Sequence, residues 1–383
     1  MLQATGAALV LRPRLAWADA GADAGTDAGA APDGDDVLLR QGGSPQNLAT
    51  PLHYFDRLIT PTAVFFVRSH FGPPALDKTR KTTFDGMVKT PLSLNVDELR
   101  AQFPEVTVTA VLQCAGNGRA LQKPRVPGIQ WTHGAMGQAT FTGVRLKDVL
   151  AKAGIAKDAL HVRIAGADAP PKPTTPAFLR SLPIERAMDP STILAYRMNG
   201  EDLTLAHGAP LRLVVPGWAG DHWVKWLIGV RAQREEADGF FMKTAYRMPS
   251  EPVEPGAAVP PEKMKPATTF SVKSIIARPG DAKQPIGAQE VVGIAFSGVA
   301  PIASVEVSID GGKTFAAAKL EGEGGAGRAQ VFRYRFDQPT AGRVRAMARA
   351  KDKKGNEQPE SPPWNPSGYF WNGWHAVEWE VGA

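Results

Sequence analysis

Cys114 is the only cysteine in the 383-residue chain, and its thiol is the group with the most distinctive chemistry. One cysteine cannot form an intrachain disulfide, and without a paired Cys/His spacing a structural zinc site is not favoured. The thiol is therefore either inert, as a small hydrophobic group in a core strand, or specialised. Gly116 and Gly118 flank Asn117 and tolerate positive φ, so the backbone can turn tightly just after the cysteine.

Basic side chains also occur inside two apolar segments. Residues 62–70 (TAVFFVRSH) are predicted to form a strand, whose two-residue period would place Arg68 and His70 on the same face. Arg212 lies within a second predicted strand, residues 211–215. Because buried charges are paired, these side chains need either a core carboxylate or an anionic ligand.

The elements that would position these residues belong to a mixed α/β region over residues 37–250. Alternate positions from Val106 to Leu112 are apolar, which predicts a strand that ends at Cys114. Amphipathic helices are predicted over residues 96–103 and 146–153, with glycine ending the second. The site would then lie at the end of a strand in a region that also contains helices.

The first 36 residues differ in composition from the rest. Residues 1–18 contain an apolar run followed by Ala16-Trp17-Ala18, which predicts the remnant of a cleaved export signal. Residues 19–36 are a low-complexity acidic run that predicts a disordered leader. No later apolar run approaches the roughly 18 residues that a bilayer-spanning helix needs, so no membrane span is expected.

The charge balance changes once this leader is set aside. Two of the 44 Lys and Arg residues and six of the 38 Asp and Glu residues lie in residues 1–36, so residues 37–383 carry +10. A basic surface suggests an anionic partner or substrate, although dispersed solvated lysines give the same total. Because no RNA- or DNA-binding signature accompanies the charge, nucleic acid binding is not expected.

The composition changes again after residue 250. Residues 251–266 contain five prolines and no periodic apolar pattern, which predicts an extended linker. Beyond it, alternating apolar positions are separated by turn signals such as Asp310-Gly311-Gly312. Residues 267–383 are therefore predicted to form an immunoglobulin-like β-sandwich that contacts another subunit or domain. The predicted fold class of the whole chain is α+β.

Four separated blocks resemble the sulfite oxidase family of molybdenum enzymes: residues 65–70 (FFVRSH), 112–119 (LQCAGNGR), 207–217 (HGAPLRLVVPG) and 224–226 (VKW). The blocks agree in order and spacing, and within the family the resemblance is strongest to bacterial periplasmic sulfite dehydrogenases. It implies a molybdenum–molybdopterin cofactor, a sulfite-oxidase-type molybdopterin domain over residues 37–250 and a dimerisation domain over residues 267–383.

The resemblance also implies roles for individual residues. In this family molybdenum is held by two sulfurs of a pterin dithiolene and one protein thiolate, which would be Cys114. The pterin carries a phosphate and many hydrogen-bonding groups, so its binding site needs cations and directional donors. The positions that match this site are Phe66, Arg68, His70, Cys114, Asp168, His207, Arg212, Trp223, Val224 and Lys225. Taken singly, an arginine here could instead pair with a core carboxylate, and His207 could cap a turn.

The substrate implied by the resemblance is sulfite, a small oxyanion that a planar guanidinium binds well. Arg119 and Arg68 are the candidates for binding it, with His70 between cofactor and substrate. Tyr246 matches the family's active-site tyrosine, and Trp131 matches an aromatic residue that lines the pocket. The residues expected to be catalytic are Tyr246, Arg119, Arg68 and His70. A packing tyrosine and a core tryptophan are the structural alternatives for the two aromatic residues.

One departure from the family pattern bears on the substrate. Ser367 stands where animal members carry an arginine that contributes to the oxyanion pocket. Some positive charge is therefore missing, which leaves a related enzyme acting on a sulfane or on nitrate as an alternative. A non-catalytic binding protein of an export pathway, with a structural Cys114, is the alternative from another class.

Partners and location are also expectations of the resemblance. Neither a haem domain nor a flavin domain fits in the chain, so electrons are expected to pass to a separate c-type cytochrome. Either a homodimer or a heterodimer with a cytochrome subunit is expected. The location would be the periplasm. A protein with a bulky buried cofactor would fold before export, which favours the twin-arginine route.

Overall fold

The computed structural model of the chain describes residues 38–41, 47–280 and 282–382. The predicted export signal (residues 1–18) and acidic leader (residues 19–36) lie outside the described residues. In the part that the structure describes, no helix combines the length and the apolar character needed to cross a bilayer.

The first part of the chain contains mostly short strands, joined by helices of two turns or fewer. In chain order the elements are β1 (Leu39–Arg40), β2 (Leu48–Ala49), β3 (Thr82–Gly86), β4 (Leu92–Leu94), α1 (Val96–Gln102), β5 (Glu105–Gln113), β6 (Met136–Arg145), α2 (Leu146–Ala153), β7 (His161–Gly166), β8 (Leu179–Pro183), α3 (Ile184–Ala187), β9 (Ile193–Met198), β10 (Glu201–Asp202), β11 (Arg212–Val214), β12 (Leu227–Gln233), α4 (Phe240–Lys243) and β13 (Arg247–Pro249).

These strands form two five-stranded sheets. One has the order β10-β9-β6-β5, with β11 paired to β9, and the other has the order β4-β3-β12-β7-β8. Neighbouring strands are antiparallel except β3 and β12, which are parallel. The apolar faces of both sheets meet in one core that includes Phe84, Phe141 and Trp223. The α+β fold class is confirmed, although sheet predominates over helix.

Several local predictions are confirmed. Helix α1 begins at an Asn95 capping box, in which Asn95 and Glu98 bond each other's backbone N–H groups. Helix α2 ends at Gly154, which adopts the left-handed conformation with φ +71°. Strand β5 ends at Gln113, so Cys114 does follow a strand. The predicted strand over residues 211–215 is observed as β11.

The predicted strand over residues 62–70 is wrong. Residues 62–64 form a turn of 3₁₀-helix after Pro61, whose fixed φ suits a helix start. The extended part that follows has a single bridge, formed by two backbone hydrogen bonds of 2.9 Å between Val67 and Leu48. A strand needs a partner along its length, and within the described residues this segment has one only at Val67.

The second part of the chain is a β-sandwich. Its elements are β14 (Met264–Pro266), β15 (Lys273–Arg278), β16 (Gly287–Phe296), β17 (Ile302–Ser308), β18 (Ala316–Ala317), β19 (Lys319–Glu321), β20 (Ala329–Gln338), β21 (Gly342–Asp352) and β22 (His375–Val381). Two four-stranded sheets, β15-β16-β20-β19 and β18-β17-β21-β22, enclose a core that includes Val305, Phe332 and Trp379. The immunoglobulin-like prediction is confirmed.

The predicted linker over residues 251–266 contains a turn of 3₁₀-helix at Pro261–Lys263. Its last three residues form β14, which pairs antiparallel with β13 through Arg247 and Pro266. The proline-rich stretch is therefore a loop closed by a two-stranded ribbon.

The two parts of the chain meet at the turn that carries Cys114. The backbone N–H of Phe370 donates to the carbonyl of Ala115 at 2.8 Å, and that of Val111 donates to Gly327 at 2.8 Å. Beside this contact lies a buried group of basic residues. His133 and His375 have ring centroids 4.0 Å apart, and Lys273 donates to the carbonyl of Trp371 at 2.9 Å.

We expect this junction to make the protein sensitive to acid. Burial, with Lys273 as a smaller cause, lowers the pKa of His375 to about 3. The unfolded chain takes up a proton below about pH 6.5 and the folded chain resists it, so stability is lost as pH falls below that value. His375→Asn retains an acceptor for Ile276. Between pH 7 and pH 5, the free energy of unfolding of this variant should therefore decrease by roughly 2 kcal/mol less than that of the wild type.

Unfolding curves at several pH values would test this prediction. The control is His53→Asn, which changes a partly exposed histidine outside the junction. An unchanged pH slope in the His375 variant would contradict the prediction.

Candidate active site

Cys114 lies in a cavity at the edge of the first sheet. The cavity brings together most of the residues predicted from the sequence: Phe66, Arg68, His70, Cys114, Asp168, His207, Arg212, Trp223, Val224, Lys225 and Tyr246. Most of these residues come from loops that are far apart in the chain, and Arg212 comes from strand β11. Arg119 and Trp131 do not line this cavity.

Buried hydrogen bonds fix the turn after Cys114. The backbone N–H of Cys114 donates to Ala135 at 2.9 Å, and its carbonyl accepts from the N–H of Asn117 at 3.0 Å. The Asn117 side chain accepts from the N–H of Ala135 at 3.0 Å. Gly118 has φ +95°, which a residue with a side chain rarely adopts. The turn therefore holds the thiol in one place without using the sulfur itself.

The protonation of this thiol depends on what binds it. Burial raises the pKa of Cys114, while the nearby positive charges of Arg68 and Arg119 lower it. Burial is the larger effect, so the free thiol stays protonated at neutral pH. A soft metal ion would displace that proton, because a coordinated thiol is deprotonated.

Arg212 and Lys225 give one wall of the cavity its positive charge. Arg212 donates to the carbonyls of His207 and Trp223 at 2.9 and 3.2 Å, and its Nε is buried without a partner in the described residues. Lys225 donates to Ser69 Oγ at 2.7 Å and to the carbonyl of Ala206 at 2.9 Å. Burial lowers the pKa of Arg212 to about 9 and that of Lys225 to about 7.

Asp168 and His207 add further polar groups to the cavity. Asp168 Oδ2 is buried without a partner in the described residues, and burial raises the pKa of this carboxyl to about 6. Burial lowers the pKa of His207 to about 3, so its imidazole is neutral. Asp168 Oδ2 and Arg212 Nε are thus two unpartnered buried atoms in residues that line one cavity, and such atoms are costly unless a ligand bonds to them.

These observations fit a molybdenum–molybdopterin cofactor. Arg212, Lys225 and Arg68 suit an anionic ligand with a phosphate, and Asp168 suits the donor groups of a pterin. Cys114 offers the one soft ligand. Among the described residues, no group of three or more His, Cys, Asp and Glu side chains could hold a metal ion.

Arg68, His70 and Tyr246 form a hydrogen-bonded chain above Cys114. Arg68 Nη2 lies 3.1 Å from His70 Nδ1, and His70 Nε2 lies 2.6 Å from the hydroxyl of Tyr246. Burial lowers the pKa of His70 to about 3, so its ring is neutral. A guanidinium can only donate, and Arg68 Nη2 is closer to Nδ1 than to Nε2, from which it lies 3.4 Å away. We therefore assign Nδ1 as the acceptor, and Nε2–H then donates to the tyrosine oxygen. The Tyr246 O–H proton is therefore left to donate into the cavity.

The backbone at Tyr246 is in an uncommon conformation. Its φ is +57°, in the left-handed region, and its carbonyl accepts from the N–H of Ala267 at 2.8 Å. Burial also raises the pKa of its phenol, which keeps the hydroxyl protonated at neutral pH. Backbone strain of this kind in a non-glycine residue is common at functional sites, where the surroundings hold it.

Arg119 and Trp131 lie behind the turn. Arg119 Nε donates to the carbonyl of Ser367 at 2.8 Å and Nη1 to that of Ile129 at 3.0 Å. Trp131 is 0% exposed and belongs to the core of the first part of the chain. Substrate contact by either residue stays a prediction.

Gly116 was expected to allow a tight turn of the backbone, but the structure gives it a different role. A Cβ at this position would lie 2.7 Å from Nη2 of Arg119. The missing side chain therefore makes room for the Arg119 guanidinium.

Sequence reasoning missed a buried ion pair beneath Tyr246. Arg180 is 0% exposed and lies 2.7 Å from Asp221 Oδ2, which lines the cavity. Its Nη2 also lies 2.9 Å from His222 Nε2, and its guanidinium is 5.2 Å from the centre of the Tyr246 ring. The available signal was an arginine inside an apolar strand, as with Arg212.

A second missed residue is Tyr369. Its ring stacks on that of Tyr246 with centroids 5.7 Å apart and an interplanar angle of 7°, and the Arg119 guanidinium lies 5.4 Å from its centre. The signal was its position two residues after Ser367, in the segment that already departs from the family pattern.

Comparisons with known proteins identify the family to which both parts of the chain are similar. Residues 70–241 match the family model of the oxidoreductase molybdopterin binding domain, and residues 265–381 match that of the Mo-co oxidoreductase dimerisation domain. Mitochondrial sulfite oxidase of Macaca fascicularis is 37% identical over 84% of this chain, which spans 62% of the length of that relative. Sulfite oxidase of Arabidopsis thaliana is 33% identical, with 85% of this chain and 88% of the relative covered.

A solved structure gives the same assignment for the fold. The sulfane dehydrogenase SoxCD from Paracoccus pantotrophus superposes with a TM-score of 0.77 at 29% identity, covering 88% of this chain and 85% of that one. Both domains and the cysteine-containing turn are thus accounted for by one family. The chain belongs to the sulfite oxidase family of molybdenum-cofactor oxidoreductases.

Proposed function

We propose that this protein is a periplasmic sulfite dehydrogenase that oxidises sulfite to sulfate and passes the electrons to a c-type cytochrome. The reaction consumes one water and yields sulfate, two protons and two electrons, so two molecules of a one-electron acceptor balance each sulfite. The observation that carries the proposal is the chain from Arg68 through His70 to Tyr246, which directs an O–H donor into a cavity with Cys114.

The residues around the cavity divide into two groups. Arg212, Lys225, His207 and Asp168 would hold the pterin, and Cys114 would hold the metal. When bound, the cofactor supplies the two-electron redox chemistry and the oxygen transfer. On the other side, Arg68 would attract the anion, and the Tyr246 O–H would hydrogen-bond an oxygen of the substrate or product. Because the imidazole of His70 is neutral, it fixes this orientation without adding charge.

The substrate assignment predicts the behaviour of Arg119→Gln. Arg119 lies near enough to Cys114 to lower the pKa of its thiol. Loss of this cation should raise the KM for sulfite and make it less sensitive to ionic strength, because long-range attraction of the anion is weakened. Steady-state assays at two salt concentrations would measure both effects. Arg125→Gln removes an exposed arginine nearby in sequence and controls for net charge. If the wild type, Arg119→Gln and Arg125→Gln had the same KM for sulfite, Arg119 would not belong to the substrate site.

A sulfane dehydrogenase is the second candidate. Two observations favour it: the structural likeness to SoxCD, and Ser367 in place of a cation, with its carbonyl occupied by Arg119. A pocket with less positive charge has a weaker preference for a small dianion such as sulfite over a sulfane. Nitrate reduction remains the alternative that runs in the opposite redox direction.

One set of assays separates these functions. Metal-loaded protein would be offered sulfite, thiosulfate or a protein-bound sulfane with oxidised cytochrome c, and nitrate with a reduced dye. We expect sulfite to reduce cytochrome c, with two cytochromes reduced per sulfite. Turnover with the sulfane alone would favour the second candidate, and turnover only with nitrate would contradict both.

N-terminal sequencing of protein from a periplasmic extract tests the location, for which we expect a mature chain that starts at Asp19.

A further inference from the structure

A second cavity is lined in part by Tyr369, whose ring stacks on that of Tyr246. Its rim includes Ser250 and Lys265 next to the β13–β14 ribbon, and Trp364 from the C-terminal segment. Tyr369 belongs to its lining, whereas Tyr246 belongs to the lining of the first cavity. We propose that the second cavity is the route by which the substrate anion enters and the product leaves, with Tyr369 as the gate. This inference rests on the proposed function.

The wall between the two cavities contains two stacked rings. The Tyr369 and Tyr246 rings are nearly parallel, at 7°, with centroids 5.7 Å apart. Tyr246 also contacts His70 at 2.6 Å, so its hydroxyl is fixed on the first-cavity side. Of the two rings, only that of Tyr246 takes part in the hydrogen-bonded chain of the reaction site. Displacement of Tyr369 would join the cavities without disturbing that chain.

The first cavity is unsuited to be the entrance once it is loaded. The residues that would hold the pterin, among them Asp168, His207 and Lys225, lie around its walls. A pterin held by these residues would occupy their side of the cavity. A small anion then needs another approach, and the second cavity reaches the Tyr246 side of the site.

Tyr369 has the anchoring expected of a gate. Its backbone is fixed, because its N–H donates to Asn365 Oδ1 at 3.0 Å and its carbonyl accepts from Asn365 Nδ2 at 2.9 Å. The ring is held by stacking on Tyr246, by the Arg119 guanidinium 5.4 Å from its centre, and by one hydrogen bond between its hydroxyl and the backbone of Tyr246. Rotation about χ1 breaks this hydrogen bond and two weak ring contacts, so it is an accessible motion.

Opening of this gate would expose a cation to the entering anion. Arg119 donates through Nε and Nη1 to the carbonyls of Ser367 and Ile129. Its Nη2 points toward Gly116, in the turn that carries Cys114. The centre of the Tyr369 ring lies 5.4 Å from this guanidinium, and Tyr369 lines the second cavity. The anion would therefore meet Arg119 only after Tyr369 has moved.

A plug in the second cavity tests the route. Ser250→Cys places a thiol at the exposed rim, and loaded enzyme would be labelled there with a pyrene maleimide. We expect the label to lower kcat/KM for sulfite by about tenfold or more, because access of the anion is blocked. Ser93→Cys, exposed on β4, carries the same label away from both cavities and should keep its kcat/KM. Wild-type enzyme treated with the maleimide reports any reaction at Cys114.

The outcomes separate the route from the proposed function. Unchanged kcat/KM in labelled Ser250→Cys would overturn the route. Absence of sulfite turnover in the unlabelled variant and in wild type would overturn the proposed function instead, and the plug would then be tested with whichever anion is turned over.

Variants of Tyr369 test the gate. Tyr369→Ala should raise kcat/KM for thiosulfate relative to sulfite by about tenfold, because the larger anion gains most from a wider passage. Tyr369→Phe keeps the ring and should leave the ratio within about twofold. The ratio of the two kcat/KM values is informative because both substrates react beside the same Tyr246, so a general effect on the site changes both values. An unchanged ratio in Tyr369→Ala would show that Tyr369 is not the gate.

Discussion

Replacement of Cys114 by serine should give a folded protein with no measurable turnover. Serine has nearly the same size, and the hydrogen bonds that hold the turn use the backbone of Cys114 and the side chain of Asn117, so the fold should persist. What is lost is the thiolate, the soft ligand that molybdenum in a sulfur-rich environment prefers. Among the described residues the cavity has no second thiol that could replace it.

Three measurements would establish this result: sulfite turnover, the molybdenum and pterin content, and the thermal unfolding midpoint. We expect turnover to fall to the background of the assay, while the pterin is partly retained through Arg212 and Lys225. Ala115→Ser adds a hydroxyl to the same buried turn and keeps the thiol, so it controls for local disturbance. Full activity of the Cys114 variant would refute metal ligation by this residue.

Arg212→Met should prevent retention of the cofactor and leave the cofactor-free protein at least as stable as wild type. Arg212 is 3% exposed, its Nε has no partner in the described residues, and burial lowers its pKa to about 9. No carboxylate lies within ion-pair distance of it among the described salt bridges. A buried charge in this state is unfavourable until an anion binds, and a hydrophobic replacement removes that cost.

The loss of cofactor affinity in Arg212→Met can be estimated from measurements on charge pairs at protein interfaces. Loss of one partner of a buried charge pair costs about 3 kcal/mol, which corresponds to more than a hundredfold loss of affinity. Pterin and molybdenum content after extended dialysis would report retention, and unfolding of the cofactor-free protein would report stability. Arg186→Met is the matched control, because Arg186 is paired with Asp189 at 3.0 Å outside the cavity. Normal cofactor content in Arg212→Met would show that another group holds the anion.

Local periodicity predicted much of the fold. The alternation that ends at Cys114, the apolar face and glycine stop of α2, and the strands of the C-terminal sandwich depend on neighbours in sequence, and they are observed as expected. The segment over residues 62–70 was misjudged for the opposite reason. Its apolar run over residues 63–67 is genuine, but a strand also needs a partner, and the partner at Leu48 offers only one bridge.

The site was only partly predictable, because distant contacts decide where a side chain lies. The resemblance selected eleven residues that line the cavity, yet it could not place Arg119, whose hydrogen-bond partner Ser367 is 248 positions away. The pair of Arg180 and Asp221 was missed because neither residue belongs to a matching block. An arginine inside an apolar strand is the pattern that could have indicated it.

The hydrogen bond from Phe370 to Ala115 has a consequence for biosynthesis. The turn that carries Cys114 emerges from the ribosome long before residues 367–370, which supply its contacts from the C-terminal domain. Since domains fold as they are synthesised, the N-terminal sheets can form early while the turn remains incomplete. Cofactor loading should therefore follow chain release, and stalled nascent chains that end before residue 365 should not retain pterin. Retention by such chains would show that the turn matures without its C-terminal partner.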